Sequence, residues 1–158
     1  MCCIKKNGSM NREEIKQYLK HREPMLLLDT VDLQTEVDAQ GNEVVVAYAS
    51  YYVRGDEFFL RGHFPGNPIV PGVMLCEMAS QSACALMVEK VKGKLTLFTG
   101  MKNVKFKNPA RIGDTIEFTI TPLKSLGMFA FVQAEAKVNG TTIMSGEFSY
   151  ALVSKDAM

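Results

Sequence analysis

Residues 54–72 hold Gly55, Gly62, Pro65, Gly66, Pro68, Pro71 and Gly72, and this stretch runs directly into the most apolar helical segment of the chain. Such a density of φ-fixing and φ-permissive residues marks a shaped loop. Proline suits the first turn of the helix that follows, because its missing N–H would be unpaired there anyway. The spacing predicts a helix from about Pro71 to Val91, with Gly93 at its exit. At 1.5 Å per residue it would run roughly 30 Å. Leu75, Met78, Ala79, Ser82, Ala83 and Leu86 recur at helical spacing, and the side carrying Cys76, Ala83, Ala85 and Met87 is also poorly charged. A helix that is apolar nearly all round must be enclosed by other structure.

The rest of the chain supplies that enclosure as strands. Val44–Tyr48, Leu95–Thr99, Val104–Phe106, Thr115–Thr121, Phe129–Val138 and Thr142–Val153 are rich in β-branched and aromatic residues. Asn139-Gly140 predicts a hairpin turn between the last two. Val104 and Phe106 alternate with Lys105 and Lys107, which predicts one buried and one wet face. Leu26-Leu27-Leu28 is expected to open a short strand ending near Val31, with a polar connection from Asp32 to Asn42 that turns at Gly41-Asn42. Asn11 to about Lys20 reads as a short helix, with Asn11 and Glu14 spaced as a capping box. The expectation is an α+β fold, with an antiparallel sheet curled around one long central helix. Residues 11–158 form a single domain on this reading, and residues 1–10 a disordered lead-in.

Bulk properties exclude several function classes. At 158 residues, 47% hydrophobic and 22% charged, the chain can bury a core of its own. A net charge of +1 offers no global field for nucleic acid or an anionic membrane. No apolar run approaches the ~20 residues of a membrane-spanning helix, and the N-terminus lacks the apolar core of a secretory signal. No Cys-x-x-Cys occurs and His21 and His63 are far apart, so no metal site is expected. The cysteines read as reduced thiols of a cytoplasmic protein, with Cys76 and Cys84 as small buried residues.

The chemistry concentrates between Gly62 and Gln81. His63 sits in the rigid loop, and Glu77 lies almost two turns into the helix. Apolar neighbours are expected to raise the carboxyl pKa of Glu77 by desolvation, leaving it protonated as an acid. His63 titrates near neutrality and can act as a base. The free N–H groups at the helix start carry the positive end of the helix dipole, and Gly72 has no side chain to block a carbonyl oxygen there. Loop base, helix acid and helix-start donor together suit elimination of water from a carbonyl compound. Gln81 shares the helix face of Glu77 and could orient it or a water.

The run Gly62-His63-Phe64-Pro65-Gly66-x-Pro68-x-x-Pro71-Gly72, with Glu77 fourteen residues after His63, resembles the 3-hydroxyacyl-acyl carrier protein dehydratase family of type II fatty acid synthesis. His21-Arg22-x-Pro24-Met25-Leu26-Leu27-Leu28-Asp29 resembles the family's N-terminal motif, and Phe98-Thr99-Gly100-Met101-Lys102, Phe106-Lys107-Asn108-Pro109 and Gly113-Asp114 its third block. The resemblance runs from about Asn11 to Val153. It implies a hot-dog fold, and a homodimer with sites at the interface, often as a trimer of dimers. It implies that His63 takes the C2 proton of the substrate, that Glu77 of the partner subunit protonates the leaving 3-hydroxyl, and that the Gly72 amide holds the thioester oxygen. Phe64 would line the acyl tunnel. No cofactor is implied, since the substrate arrives on the phosphopantetheine arm of acyl carrier protein. The related dehydratase/isomerase branch carries aspartate at the acid position, so Glu77 favours dehydration alone. Val70, Cys76, Ser80 and Arg61 depart from the usual pattern and bear on tunnel shape.

Outside this constellation, His21 reads as structural. Lys102, Lys105, Lys107 and Arg111 form a basic cluster that reads as the wet side of a strand and loop, or as a docking patch for the acidic carrier protein. The alternative functions are a hot-dog acyl thioesterase and a non-catalytic acyl-binding protein.

Overall fold

The computed structural model describes residues 8–88 and 94–154. Most of the expected lead-in and the Gly93 helix exit lie outside the described residues. Met10, assigned to that lead-in, is buried and exchanges backbone hydrogen bonds with Val31 at 2.6 and 3.0 Å. The elements in order are α1 (Arg12–Ile15), β1 (Thr30–Val37), β2 (Glu43–Tyr52), α2 (Gly72–Cys84), a short 3₁₀ turn (Ala85–Met87), β3 (Lys94–Phe106), β4 (Thr115–Leu126), β5 (Phe129–Val138) and β6 (Thr141–Ser154).

The six strands form one sheet in the order β1-β2-β4-β5-β6-β3, and every neighbouring pair is antiparallel. The chain makes the β1–β2 hairpin and passes through the loop and α2. It then crosses to the far edge as β3 and returns to lay β4 beside β2. Helix α2 packs against β2, β3, β4, β5 and β6. Its Leu75, Met78, Ala79 and Ala83 share one core with Phe118 and Ile120 of β4, Val132 of β5 and Phe148 of β6. Strands β4, β5 and β6 alternate buried and wetter residues over most of their length, as a half-covered sheet requires.

Several boundaries differ from the sequence expectation, each for a physical reason. The Leu26–Leu28 segment is not a strand; the three side chains are buried in an irregular segment that docks on α2, where the Leu27 N–H donates to Gln81 Oε1 at 2.9 Å. The stretch expected to be a polar connection is instead strand β1, an edge strand with only Val31 and Leu33 buried. Its turn is tied by Asp38 Oδ1, which accepts from the amides of Gln40 at 2.9 Å and Asn42 at 2.8 Å. The two short strands expected between Leu95 and Phe106 are one strand, β3, broken in register between Phe98 and Gly100 and between Lys102 and Lys105. Phe106 is 53% exposed, so its expected buried face is open in one chain. Helix α2 ends at Cys84 and its exit tightens into the 3₁₀ turn, a common way for a helix to satisfy its last carbonyls, while residues 89–91 of the expected helix lie outside the described residues.

At the N-terminus the capping box is present: Asn11 Oδ1 accepts from the amides of Glu13 and Glu14, and Glu14 accepts from the Asn11 amide at 2.8 Å. The helix it starts is shorter than expected and ends at Ile15. Arg12 then staples the following segment by donating to the carbonyls of Leu26 and Leu28 and to Asp29. This fixes the segment from His21 to Asp29 beside α2.

Candidate active site

His63 enters its loop on backbone bonds. Its amide donates to Leu60 O at 3.2 Å, and its carbonyl accepts from the Ile69 amide at 2.9 Å. The imidazole Nδ1 lies 3.0 Å from the carbonyl oxygen of Ile69. A carbonyl oxygen only accepts, so Nδ1 carries the proton and Nε2 is left with its lone pair. The loop thereby presents His63 as a base at Nε2. Phe64 stacks on the imidazole with ring centroids 4.1 Å apart, and its ring is half exposed. Val70 is tied down through its amide to Ala110 O at 2.9 Å. Arg111, a member of the basic cluster, donates to Asn67 Oδ1 at 2.6 Å and so ties to the loop.

Helix α2 begins where the loop ends. Pro71 occupies the cap position, with no side chain hydrogen-bonded to the first-turn amides. These donors and the helix dipole point out of the helix start. A Cβ built on Gly72 would meet the Phe106 ring at 2.8 Å, so glycine here permits a close approach of β3 as well as an open helix start.

Glu77 is partly exposed and held by two side chains on one oxygen. Gln81 Nε2 donates to Glu77 Oε1 at 2.9 Å, and His21 Nε2 lies 3.2 Å from the same atom. Gln81 is fully buried and its orientation is unambiguous: Oε1 accepts from the Leu27 amide, and Nε2 donates to Met25 O at 2.7 Å. The expectation that apolar surroundings raise the Glu77 pKa is corrected. The hydrogen bond from His21 holds the carboxyl below the usual carboxylate range, and Gln81 adds to this, while burial pushes the other way. His21, expected to be structural, has its ring against the candidate acid. Sequence reasoning missed this residue, although it stands in a segment that carries a family motif.

Within one chain His63 and Glu77 share no hydrogen bond or ion pair among the described residues. Beside the site, β3 offers an unpaired edge with Leu97, Phe98, Met101 and Phe106 exposed by 38–55%. Lys105 and Lys107 are exposed at the end of this strand, and Lys102 lines a groove with Lys124, Phe131 and Glu147. No group of three or more potential metal ligands occurs among the described residues. No helix among them is long and apolar enough to cross a membrane.

Comparison with known proteins bears on the family and the fold. A family model described as ApeI-like, ApeI dehydratase, matches residues 36–147. The 3-hydroxyacyl-acyl carrier protein dehydratase FabZ of Clostridium perfringens is 37% identical over 145 residues, covering 90% of this chain and 99% of that protein. Among solved structures, the dehydratase heterocomplex ApeI:P from Xenorhabdus doucetiae superposes with a TM-score of 0.70 at 20% identity, over 90% of this chain and 92% of that one. A variant of the fluoroacetyl-CoA-specific thioesterase FlK superposes with a TM-score of 0.62 at 15% identity, over 71% of this chain and 87% of its own. The last two likenesses concern the fold, which is the hot-dog arrangement of a sheet around a helix.

Proposed function

The chain belongs to the 3-hydroxyacyl-acyl carrier protein dehydratase family, and from that premise we propose that His63 and Glu77 of the partner subunit form its acid–base pair. Its reaction is the removal of water from 3-hydroxyacyl thioesters on acyl carrier protein, giving trans-2-enoyl thioesters in fatty acid biosynthesis. The thioesterase and acyl-binding alternatives rest on the fold alone, whereas the dehydratase relative matches almost the full length of both chains.

The observation that carries the proposal is the Nδ1 contact of His63 with Ile69 O, which leaves Nε2 as a base. In this mechanism Nε2 takes the C2 proton, made acidic by the thioester. The open amides around Gly72 hold the thioester oxygen as negative charge builds there. The C2–H electron pair forms the C2=C3 double bond, the C3–O bond breaks, and the departing hydroxyl leaves as water with a proton from Glu77. Phe64 lines the way in for the acyl chain, and Gln81 orients the acid. The mechanism routes no step through a metal or redox cofactor, and we assign the protein to the cytoplasm.

The unpaired, apolar edge of β3 supports pairing with a second copy, because an open edge with exposed apolar residues is a template for strand addition. Mixing two inactive variants tests the shared site. A heterodimer of His63→Ala and Glu77→Gln chains contains one intact pair, so statistical mixing should restore about a quarter of wild-type activity. No recovery, with subunit exchange shown by mass spectrometry, would place both groups in one chain and reject the shared site.

Lys105 and Lys107 are the exposed cations we assign to docking of the acidic carrier. Reversing both to glutamate should raise KM for crotonyl-acyl carrier protein about tenfold at low salt, with kcat unchanged. Crotonyl-pantetheine, which lacks the carrier, should show the same KM as before. Equal effects on both substrates would remove these lysines from the docking surface.

A further inference from the structure

We infer that His21 is a positioning residue for this reaction, sharing one proton with Glu77 so that the acid stays loaded at neutral pH. The inference deepens the dehydratase reading and rests on it.

The geometry is specific. His21 and Gln81 converge on the same oxygen, Oε1, and no hydrogen bond engages Oε2 among the described residues, leaving it open to substrate. Gln81 is committed to its three bonds and can neither give up nor take a proton. The His21 ring has Glu77 as its hydrogen-bonding contact, and its Nδ1 is buried with no partner. Its backbone is fixed by Arg22, which donates to the carbonyls of Leu19, His21 and Lys16.

The other titratable groups around the pair stay neutral near neutral pH. Burial pushes the Cys84 thiol up to about 12, with Glu77 adding to it. Burial also raises the hydroxyls of Tyr18 and Tyr150 and the thiol of Cys76. Within its own chain, His21 is the hydrogen-bonded neighbour of Glu77 with a ring nitrogen that can hold a proton. A carboxyl held below its usual range would be a poor acid alone. Two coupled groups hold their last proton to higher pH than such a carboxyl does by itself. On each turnover that proton leaves through Glu77 with the C3 hydroxyl as water, while the C2 proton remains on His63. Return of the proton from His63 to the pair through solvent resets the site.

His21→Gln tests this, because glutamine keeps a donor to Oε1 but cannot hold the proton. The expected result is a kcat for dehydration of 3-hydroxybutyryl-acyl carrier protein reduced roughly 10²-fold at pH 8 and much less near pH 6. The alkaline limb should move down by about one pH unit or more, with KM nearly unchanged. A uniform loss with an unshifted profile, or no loss, would overturn the inference. In parallel, carbon NMR of the Glu77 carboxyl should show it titrating below the usual range in the wild type and moving up in His21→Gln. An unchanged titration would overturn the pairing. A wild type that hydrates no enoyl thioester would overturn the dehydratase reading and this role with it, and the NMR titration would still decide whether the pair exists.

Discussion

His63→Ala and Glu77→Gln should each lower kcat for hydration of a crotonyl thioester by roughly 10²- to 10⁴-fold, the range for losing a positioned acid or base. The two losses have different origins. His63→Ala removes the Nε2 lone pair that the Ile69 carbonyl leaves available. Glu77→Gln keeps the shape and the hydrogen bond capacity of the side chain but removes its transferable proton. The effect should fall on kcat, with KM within about threefold, because neither group is asked to bind the substrate more tightly than the transition state. Combining the two should cost little more than the worse single change, since the groups act in one step. His63 is only partly buried on a surface loop and Glu77 is partly exposed, so thermal unfolding should move little in His63→Ala. A variant retaining more than about a tenth of wild-type kcat would remove that residue from the chemistry.

Gln81→Ala should be the most damaging single change to stability near the site. The Gln81 side chain is fully buried and joins α2 to the N-terminal segment by accepting from the Leu27 amide and donating to Met25 O. Alanine leaves both backbone groups without their partner beside a small void. An unsatisfied buried polar group costs about 1–3 kcal/mol, so a loss of about 2–4 kcal/mol is expected. For a domain of this size that corresponds to a fall in Tm of roughly 5–15 °C. Activity should fall further than folding explains, because Glu77 loses one of the two groups that hold Oε1. Gln81→Leu fills more of the void but satisfies neither backbone group, so it should recover little stability. A Tm within about 1 °C of wild type for Gln81→Ala would show that the N-terminal segment does not depend on this link.

Local signals made much of the architecture readable. The capping box at Asn11 and Glu14, the Asn139-Gly140 turn, the start of α2 at Pro71-Gly72 and the span of β5 depend on neighbours in sequence. Features set by distant residues were not readable in the same way. The Leu26–Leu28 triplet has no period, and its docking is decided by Gln81, 54 residues beyond Leu27. β1 buries only two side chains, so its alternation is faint against polar residues at an edge. Glu77 has apolar neighbours along the helix, which suggested a raised pKa, but its ionisation is dominated by His21, brought in from the N-terminal segment. Phe106 alternates with lysines as a buried residue would, yet lies exposed over Gly72 at the sheet edge, where a second copy is proposed to pair.

The most direct measurement is the enoyl-thioester absorbance of crotonyl-acyl carrier protein mixed with the wild-type protein. The account predicts that the band decays as water adds back across the double bond, with 3-hydroxybutyryl product and no free thiol, and that His63→Ala and Glu77→Gln leave it intact. A stable band over several acyl lengths with folded wild type, or release of thiol in its place, would contradict it.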